Sequence, residues 1–365
     1  MVRGIAALAV MIGHLRNLFF VDFSEAAGNS RLPIKILYFV TGFGHEAVMV
    51  FFVLSGFLVG GSVIRGRMED RWSWGLYLIN RLTRLWVVLI PALILGSIWD
   101  HSGIHIFGVS GIYGGHAQAN VGRVPVLPRL SASVMIGNAL FVQTIFTPTF
   151  GSNGPLWSLS NEFWYYLLFP LMVLAFPVRK FDWTTVLYAS AGLVLVFVIG
   201  WPICLYFLIW LSGAAINFAP ERPARLAKAG VVAASLALLS VLAAIRFQTG
   251  DLRYWQDLLV GVAATALIFA LLRIAARSKS GVYSRAAGWF AGISYTLYLV
   301  HLPALTFVSA WLVPRQRWQP DAAHLAIAAG LAAAALAYAF AVASVTEYRT
   351  GAIRTRVIGA TGLHE

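Results

Sequence analysis

The sequence is poor in charge. Only 11% of its 365 residues are Asp, Glu, Lys or Arg, whereas 59% are hydrophobic. Soluble domains carry about a quarter charged residues, so this chain cannot cover a surface of normal size with groups that water solvates. The composition excludes an ordinary soluble protein and predicts that lipid surrounds most of the chain.

Cysteine is almost absent as well. The single cysteine, Cys204, lies in an apolar run and has no second cysteine to pair with. A disulfide framework and a thiolate metal site are therefore excluded. The first apolar run has neither a basic leader before it nor a cleavage signal of small residues after it, so we expect a permanent span rather than a removable signal peptide.

What the sequence does contain is a series of long apolar runs. A helix needs about 20 apolar residues to cross a bilayer. Ten runs are close to this length and predict an all-α, polytopic transmembrane helix bundle with spans near 2–21, 44–63, 82–99, 155–176, 184–200, 201–219, 228–246, 255–274, 287–312 and 322–346. Another run, 133–147, is short and contains Asn138 and Gln143, which favours a re-entrant or interfacial helix over a full span.

The distribution of basic residues sets the predicted orientation. With ten spans and a cytoplasmic N-terminus, 18 of the 27 Lys and Arg residues lie on the inner side, as the positive-inside rule requires. Both termini are then cytoplasmic, and the net charge of +13 is a topology signal that calls for no nucleic acid. We predict one transmembrane domain, 1–346, with a long outer connection at 100–154, and a short cytoplasmic tail, 347–365.

Ionisable residues within the predicted spans are the first functional candidates. Each costs at least about 2.5–3.5 kcal/mol at the centre of a membrane helix, so its presence needs a reason. Arg3 and His14 lie on one face of the first span, about 16 Å apart along its axis. Counting residues from the span ends places His14, Glu162 and His301 at similar depths near the outer boundary.

The span that contains Glu162 also carries a polar and aromatic stripe. Ser158, Glu162, Tyr165, Tyr166 and Phe169 recur at helical spacing, so the stripe should face the interior of the bundle. A histidine beside a carboxylate supplies a general base for an attacking hydroxyl. The pair His14–Glu162 therefore points to acyl transfer, and a structural hydrogen bond between helices is the alternative.

Two further groups of polar residues lie near the ends of the third predicted span. Arg81 and Arg84 share one helix face at its inner end and suit phosphate oxygens, although arginines that anchor a helix at the membrane surface look the same. In the outer connection, Asp100, His101, His105 and His116 have no predicted helix to fix their spacing and no second carboxylate, so we predict no metal site.

Five fragments resemble the membrane-bound acyltransferase-3 family. They are Arg3 to Ala7 with His14, Phe51 to Phe57, Asn80 to Leu85 followed by Pro91, Trp157 to Leu159 with Glu162 and Tyr165, and Ser294 to His301. They occur in the family's order and extend over about residues 2–346.

The resemblance implies an O-acyltransferase in a bacterial inner membrane. Its donor would be cytosolic acetyl-CoA or another acyl-CoA, and its acceptor a hydroxyl of a cell-envelope polysaccharide or glycolipid. Arg3 and His14 would be needed for activity, with His14 as the general base or as a carrier of the acyl group. Arg3, Arg81 and Arg84 would bind the CoA phosphates. The predicted substrate or oxyanion residues are Ser158, Tyr165, Trp157, Tyr295 and His301.

Two other functions fit part of the pattern. A transporter or flippase of a glycan or lipid-linked precursor would use a His–Glu pair as a proton relay. No inverted repeat or matching pair of broken helices supports it. A non-catalytic assembly subunit would tolerate loss of His14 and Glu162. The acceptor, the acyl group and the oligomeric state are not readable from the sequence.

Overall fold

The computed structural model describes residues 1–116, 122–176, 182–219, 225–247, 253–275 and 282–362. The regular elements in these ranges are helices, and these ranges contain no β-strand. The α-helices are α1 (Val2–Phe19), α2 (Leu32–Val40), α3 (Gly44–Ser55), α4 (Gly61–Met68), α5 (Trp74–Phe107), α6 (Ala132–Ala139), α7 (Leu156–Leu174), α8 (Trp183–Ala215), α9 (Arg225–Phe247), α10 (Arg253–Ala275), α11 (Val282–Leu312), α12 (Ala322–Val345) and α13 (Thr350–Thr361).

Eight helical stretches within the described ranges are long and apolar enough to cross a membrane. Two predicted spans, 184–200 and 201–219, are the halves of α8, which breaks at Gly200, where φ is +76°. Another, 155–176, corresponds to α7, which has 19 residues. Each of the ten predicted spans thus coincides with a helix or half-helix, and the all-α polytopic fold is confirmed.

Helix limits differ from the predicted ones at the ends of the apolar runs. α5 is 34 residues long and continues to Phe107, so the connection predicted from residue 100 begins later. α6 covers only Ala132–Ala139 of the predicted 133–147 segment; at about 1.5 Å per residue it is too short to cross a bilayer. α2 was not predicted, because its nine residues are too few for a span. The predicted tail contains α13.

The chain divides into two compact units that alternate along the sequence. The first unit comprises Met1–Gly44, Gly75–Ser160 and Ala286–Glu365, and the second comprises His45–Trp74 and Asn161–Arg285. The predicted domain limit at residue 346 stays a prediction.

In the first unit, α11 contains a proline whose cost is offset by a loop residue. Pro303 has no N–H, so the carbonyl of Leu299, four residues earlier, loses its helical donor. The side-chain Nδ2 of buried Asn153 donates to that carbonyl at 2.8 Å. This bond joins the loop before α7 to the middle of α11.

In the second unit, α8 crosses the α3–α4 region with the two backbones in contact. A Cβ atom at Gly56 would lie 1.9 Å from the carbonyl oxygen of Trp210, and one at Gly213 would lie 2.0 Å from the carbonyl oxygen of Val53. Glycine lets membrane helices approach this closely. The half of α8 before Gly200 has open apolar side chains: Phe197 is 88% exposed, as expected of a lipid-facing side chain.

Candidate functional site

The first unit brings two of the predicted residues together. His14 Nδ1 lies 2.8 Å from His301 Nε2, and the two rings are nearly parallel, with their centroids 5.1 Å apart and their planes inclined by 13°. His301 is fully buried and His14 is half-buried. Counting residues along α1 and α11 predicted that these histidines lie at similar depth; the structure shows that they form a hydrogen bond.

The hydrogen bonds of His301 determine where the protons of the pair are. His301 Nδ1 lies 2.7 Å from the carbonyl oxygen of Leu297. A carbonyl only accepts, so Nδ1 of His301 carries the proton, and in the neutral ring Nε2 is an acceptor. His14 must then donate from Nδ1 to His301 Nε2. In neutral His14 this leaves Nε2 with a free lone pair.

Two hydroxyl groups lie beside the histidine pair. The Ser158 Oγ and the Tyr298 hydroxyl are 2.7 Å apart, and each also lies within hydrogen-bond distance of the carbonyl oxygen of Pro155. The ring centroids of Tyr298 and His301 are 6.4 Å apart. Ser158 was predicted as an oxyanion donor, whereas Tyr298 was not singled out, although it lies one helical turn before His301.

Glu162 belongs to the second unit, where its partners are hydroxyl groups. Its Oε1 accepts a hydrogen bond from Ser55 Oγ at 3.0 Å and a short one from the Tyr166 hydroxyl. Ser55 Oγ in turn accepts from the indole N–H of Trp210 at 3.1 Å. The carboxylate is therefore held in a fixed orientation. The predicted pairing of Glu162 with His14 stays a prediction.

The tyrosines predicted as oxyanion donors have other partners. Tyr165 is fully buried, and its hydroxyl donates to the carbonyl of Ile203 at 2.9 Å. The Tyr295 hydroxyl lies 3.4 Å from the carbonyl of Leu85. Each hydroxyl thus has a main-chain carbonyl within hydrogen-bond distance, and the predicted oxyanion role of these tyrosines stays a prediction. Trp157 is half-buried at the start of α7.

The predicted phosphate-binding arginines lie toward the N-terminal ends of α1 and α5. Arg3 is half-buried and precedes Gly4, which packs on Phe290 of α11. Arg84 is exposed, and the Arg81 guanidinium stacks on the ring of Tyr77 at 5.6 Å. The spacing of Arg81 and Arg84 on one face of α5 is that of consecutive helical turns, as predicted.

An ionic cluster around buried Asp257 in the second unit was not predicted. His45 Nε2 lies 2.9 Å from Asp257 Oδ2, and the Tyr206 hydroxyl donates to the same oxygen at 2.7 Å. Arg253 donates to His45 Nδ1 at 3.1 Å. Both ring nitrogens of His45 are thus occupied, which suits a structural link between α3, α8 and α10. Its sequence signal is an ionisable residue near the start of each of two predicted spans.

The acidic and histidine residues around the end of α5 have separate roles. Buried Asp100 accepts from the main-chain N–H and the hydroxyl of Ser152, at 2.8 and 2.7 Å, and so fixes the loop before α7. His101 contacts Ser97, one turn earlier. Within the described part of the chain, no three His, Cys, Asp or Glu side chains form a group that could hold a metal ion.

Comparison with known proteins identifies the family. A family model described as an acyltransferase domain matches residues 1–345. One similar protein is the acyltransferase MdmB of Streptomyces mycarofaciens, 30% identical over 229 residues; the match covers 60% of this chain and 48% of MdmB, so the chain spans about half of that relative. No solved structure matches the chain significantly. Because the family model covers almost the whole chain, this membrane protein belongs to the acyltransferase-3 family.

Proposed function

We propose that this protein is a membrane O-acyltransferase that moves an acyl group, acetyl in the simplest case, from cytosolic acyl-CoA to a hydroxyl of an extracytoplasmic polysaccharide or glycolipid. The observation that carries the proposal is the pair His14–His301, in a chain whose family is defined by an acyltransferase domain. We place it in a bacterial inner membrane with both termini cytoplasmic, because this orientation puts most basic residues inside.

The hydrogen-bond chain from Leu297 to His14 prepares His14 to act as a general base. Nε2 of His14 carries the free lone pair, and His301 holds the opposite side of the ring. When Nε2 takes a proton, the bond from Nδ1 to His301 becomes a charge-assisted bond and strengthens. His301 thus stabilises the imidazolium that forms in the transition state, as the third group of a triad does.

The proposed reaction balances with these groups alone. His14 Nε2 removes the proton of the acceptor hydroxyl as its oxygen attacks the thioester carbonyl. The tetrahedral intermediate then collapses, the carbon–sulfur bond breaks, and the imidazolium returns the proton to the leaving CoA thiolate. The hydroxyl pair of Ser158 and Tyr298 is our candidate donor to the oxyanion, because it lies beside His301.

The predicted arginines and Glu162 keep their roles within the proposal. Arg81 and Arg84, with Arg3, would bind the CoA phosphates, since guanidinium groups form paired bonds with phosphate oxygens. Glu162 would stabilise positive charge on His14. Within the second unit, its hydrogen bonds to Ser55 and Tyr166 fix the carboxylate in one orientation.

The test is acyl transfer by the purified protein in nanodiscs with labelled acetyl-CoA and envelope glycans. We expect thioester consumption in the wild type, its loss in His14→Ala, and a strong reduction in Glu162→Gln. His105→Gln is a matched control, because His105 is exposed near the end of α5. Glycan movement across a membrane without thioester consumption would favour the transporter instead, and full activity of His14→Ala would refute this mechanism.

A further inference from the structure

The first unit contains a cavity beyond the histidine pair, where α1, α5 and α11 end. Its volume is about 200 Å³, and it is bounded by Leu18 of α1, Phe107 of α5, Ser309 of α11 and the two segments that follow α5 and α11. Cavities for drug-sized ligands measure about 300–1,000 Å³. This one therefore suits a single small unit, such as one sugar ring.

The cavity is within reach of the proposed base. Leu18 lies four residues after His14, about 6 Å along α1, and Ser309 lies eight residues after His301, about 12 Å along α11. A ligand in the cavity is thus one to two helical turns from the histidine pair. A sugar seated there, or the next unit of its chain, would bring a hydroxyl toward His14.

The lining combines apolar walls with a few polar groups. Leu18, Phe107 and Ile112 supply apolar surface, against which the C–H faces of a sugar can pack. The ring of Tyr113 belongs to the lining, whereas its hydroxyl is buried against Gly103 of α5 and has no hydrogen-bond partner among the described residues. Burial raises the pKa of that hydroxyl, so it stays protonated and able to donate.

The charge of the lining is positive. Arg315, Arg317 and His116 line the cavity, and no Asp or Glu of the described part of the chain does. The positive charge of buried Arg317 is compensated by two carboxylates. Arg317 donates to Asp22 Oδ1 at 3.1 Å and to the carbonyl oxygen of Phe20 at 3.0 Å, and its guanidinium lies 3.9 Å from Glu25 Oε2. Its Nε, however, is buried and has no partner among the described residues.

Arg315 differs from Arg317 in having no counterion among the residues that the structure describes. It is exposed at the cavity and forms no hydrogen bond or ion pair with another described residue. A guanidinium group in this position favours a ligand that carries an oxyanion, because two parallel N–H···O bonds match a carboxylate or phosphate.

We propose that this cavity binds an acidic sugar unit of the acceptor, with a carboxylate or phosphate bound by Arg315. This inference rests on the proposed function, since it specifies the acceptor of the same site. Its argument is a guanidinium without a partner among the described residues, together with an apolar wall in one small cavity. The acceptor class is then an anionic rather than a neutral glycan.

Binding can be measured without catalysis. Saturation-transfer NMR with the full chain in nanodiscs of neutral lipid would compare methyl glucuronide, methyl glucoside 6-phosphate and methyl glucoside. We expect at least one acidic sugar to bind about tenfold more tightly than the neutral one. Arg315→Gln should remove this preference and Arg315→Lys should keep part of it. Arg31→Gln should leave it unchanged, because Arg31 is exposed and does not line the cavity.

The outcomes separate this inference from the proposed function. Equal binding of acidic and neutral sugars, or a preference that survives Arg315→Gln, would overturn the inference. A charge-selective site that depends on Arg315 in a protein that never consumes acyl-CoA would uphold the cavity's specificity and overturn the proposed function. If the acidic glycoside binds selectively and is also acylated, both stand, and the preferred anion identifies the acceptor as a uronate or a sugar phosphate.

Discussion

Replacing His301 by phenylalanine is expected to lower the kcat of acyl transfer by about 10- to 100-fold. Phenylalanine cannot accept the hydrogen bond that His14 Nδ1 now makes at 2.8 Å, and His301 is fully buried, so water cannot replace the acceptor easily. A hydrogen bond to a charged group contributes about 1.5–3 kcal/mol. When this contribution is made mainly in the transition state, it changes kcat by the stated factor and leaves KM nearly unchanged.

A second variant distinguishes the loss of this bond from the loss of packing. His301→Gln can still accept from His14 through its side-chain oxygen, so its kcat should lie between those of the wild type and His301→Phe. Initial rates with labelled acyl-CoA give kcat and KM, and melting in detergent shows whether each variant is folded. A folded His301→Phe protein with kcat within about twofold of the wild type, while His14→Ala is inactive, would refute the assigned role of His301.

Three further predictions concern stability. Gly56→Ala places a Cβ atom 1.9 Å from a carbonyl oxygen of α8 and should destabilise the protein by about 1–3 kcal/mol. The control Gly330→Ala, whose Cβ meets nothing within 4 Å, should leave the stability unchanged. Thermal melting in detergent measures both variants. Asn153→Ala should lower the free energy of unfolding by about 1–3 kcal/mol. The loss should be smaller in a Pro303→Ala background, where the main-chain N–H of residue 303 can donate to the Leu299 carbonyl. Equal losses in the two backgrounds of this double-mutant cycle would contradict the account. A main-chain N–H in the first turn of α12 lowers the pKa of Asp321. The carboxylate should therefore stabilise α12 at neutral pH, which is above its unfolded pKa, and this stabilisation should be lost as the pH falls through the lowered pKa. The Tm difference between the wild type and Asp321→Ala should then shrink below about pH 4. A difference that stays constant with pH would argue against this helix cap.

The sequence alone determined the kind of protein and the depth of its polar residues. A low charge content and ten apolar runs leave lipid as the only solvent, and the order of five short motifs predicted the family that the comparison confirmed. Position along a membrane helix follows from residue number, because each residue rises by a fixed distance. That rule placed His14 and His301 at similar heights.

The sequence left open which side chains meet across helices. His14 and His301 are separated by 287 residues, and no periodicity in either helix indicates that their nitrogens come within 2.8 Å. For the same reason the cluster around His45 and Asp257 was missed. The rotation and lateral neighbours of a helix depend on how whole faces pack, which is a property of several segments at once.

Only the tertiary structure decided the proton positions and the cavity. The free lone pair of His14 follows from a hydrogen bond between His301 and a main-chain carbonyl, and a carbonyl's orientation has no sequence signal. The cavity near Arg315 forms from the ends of three helices distant in the chain. Composition and motifs therefore predicted the membrane, the family and the heights of the candidate residues, whereas packing between distant segments produced the contacts on which the chemistry depends.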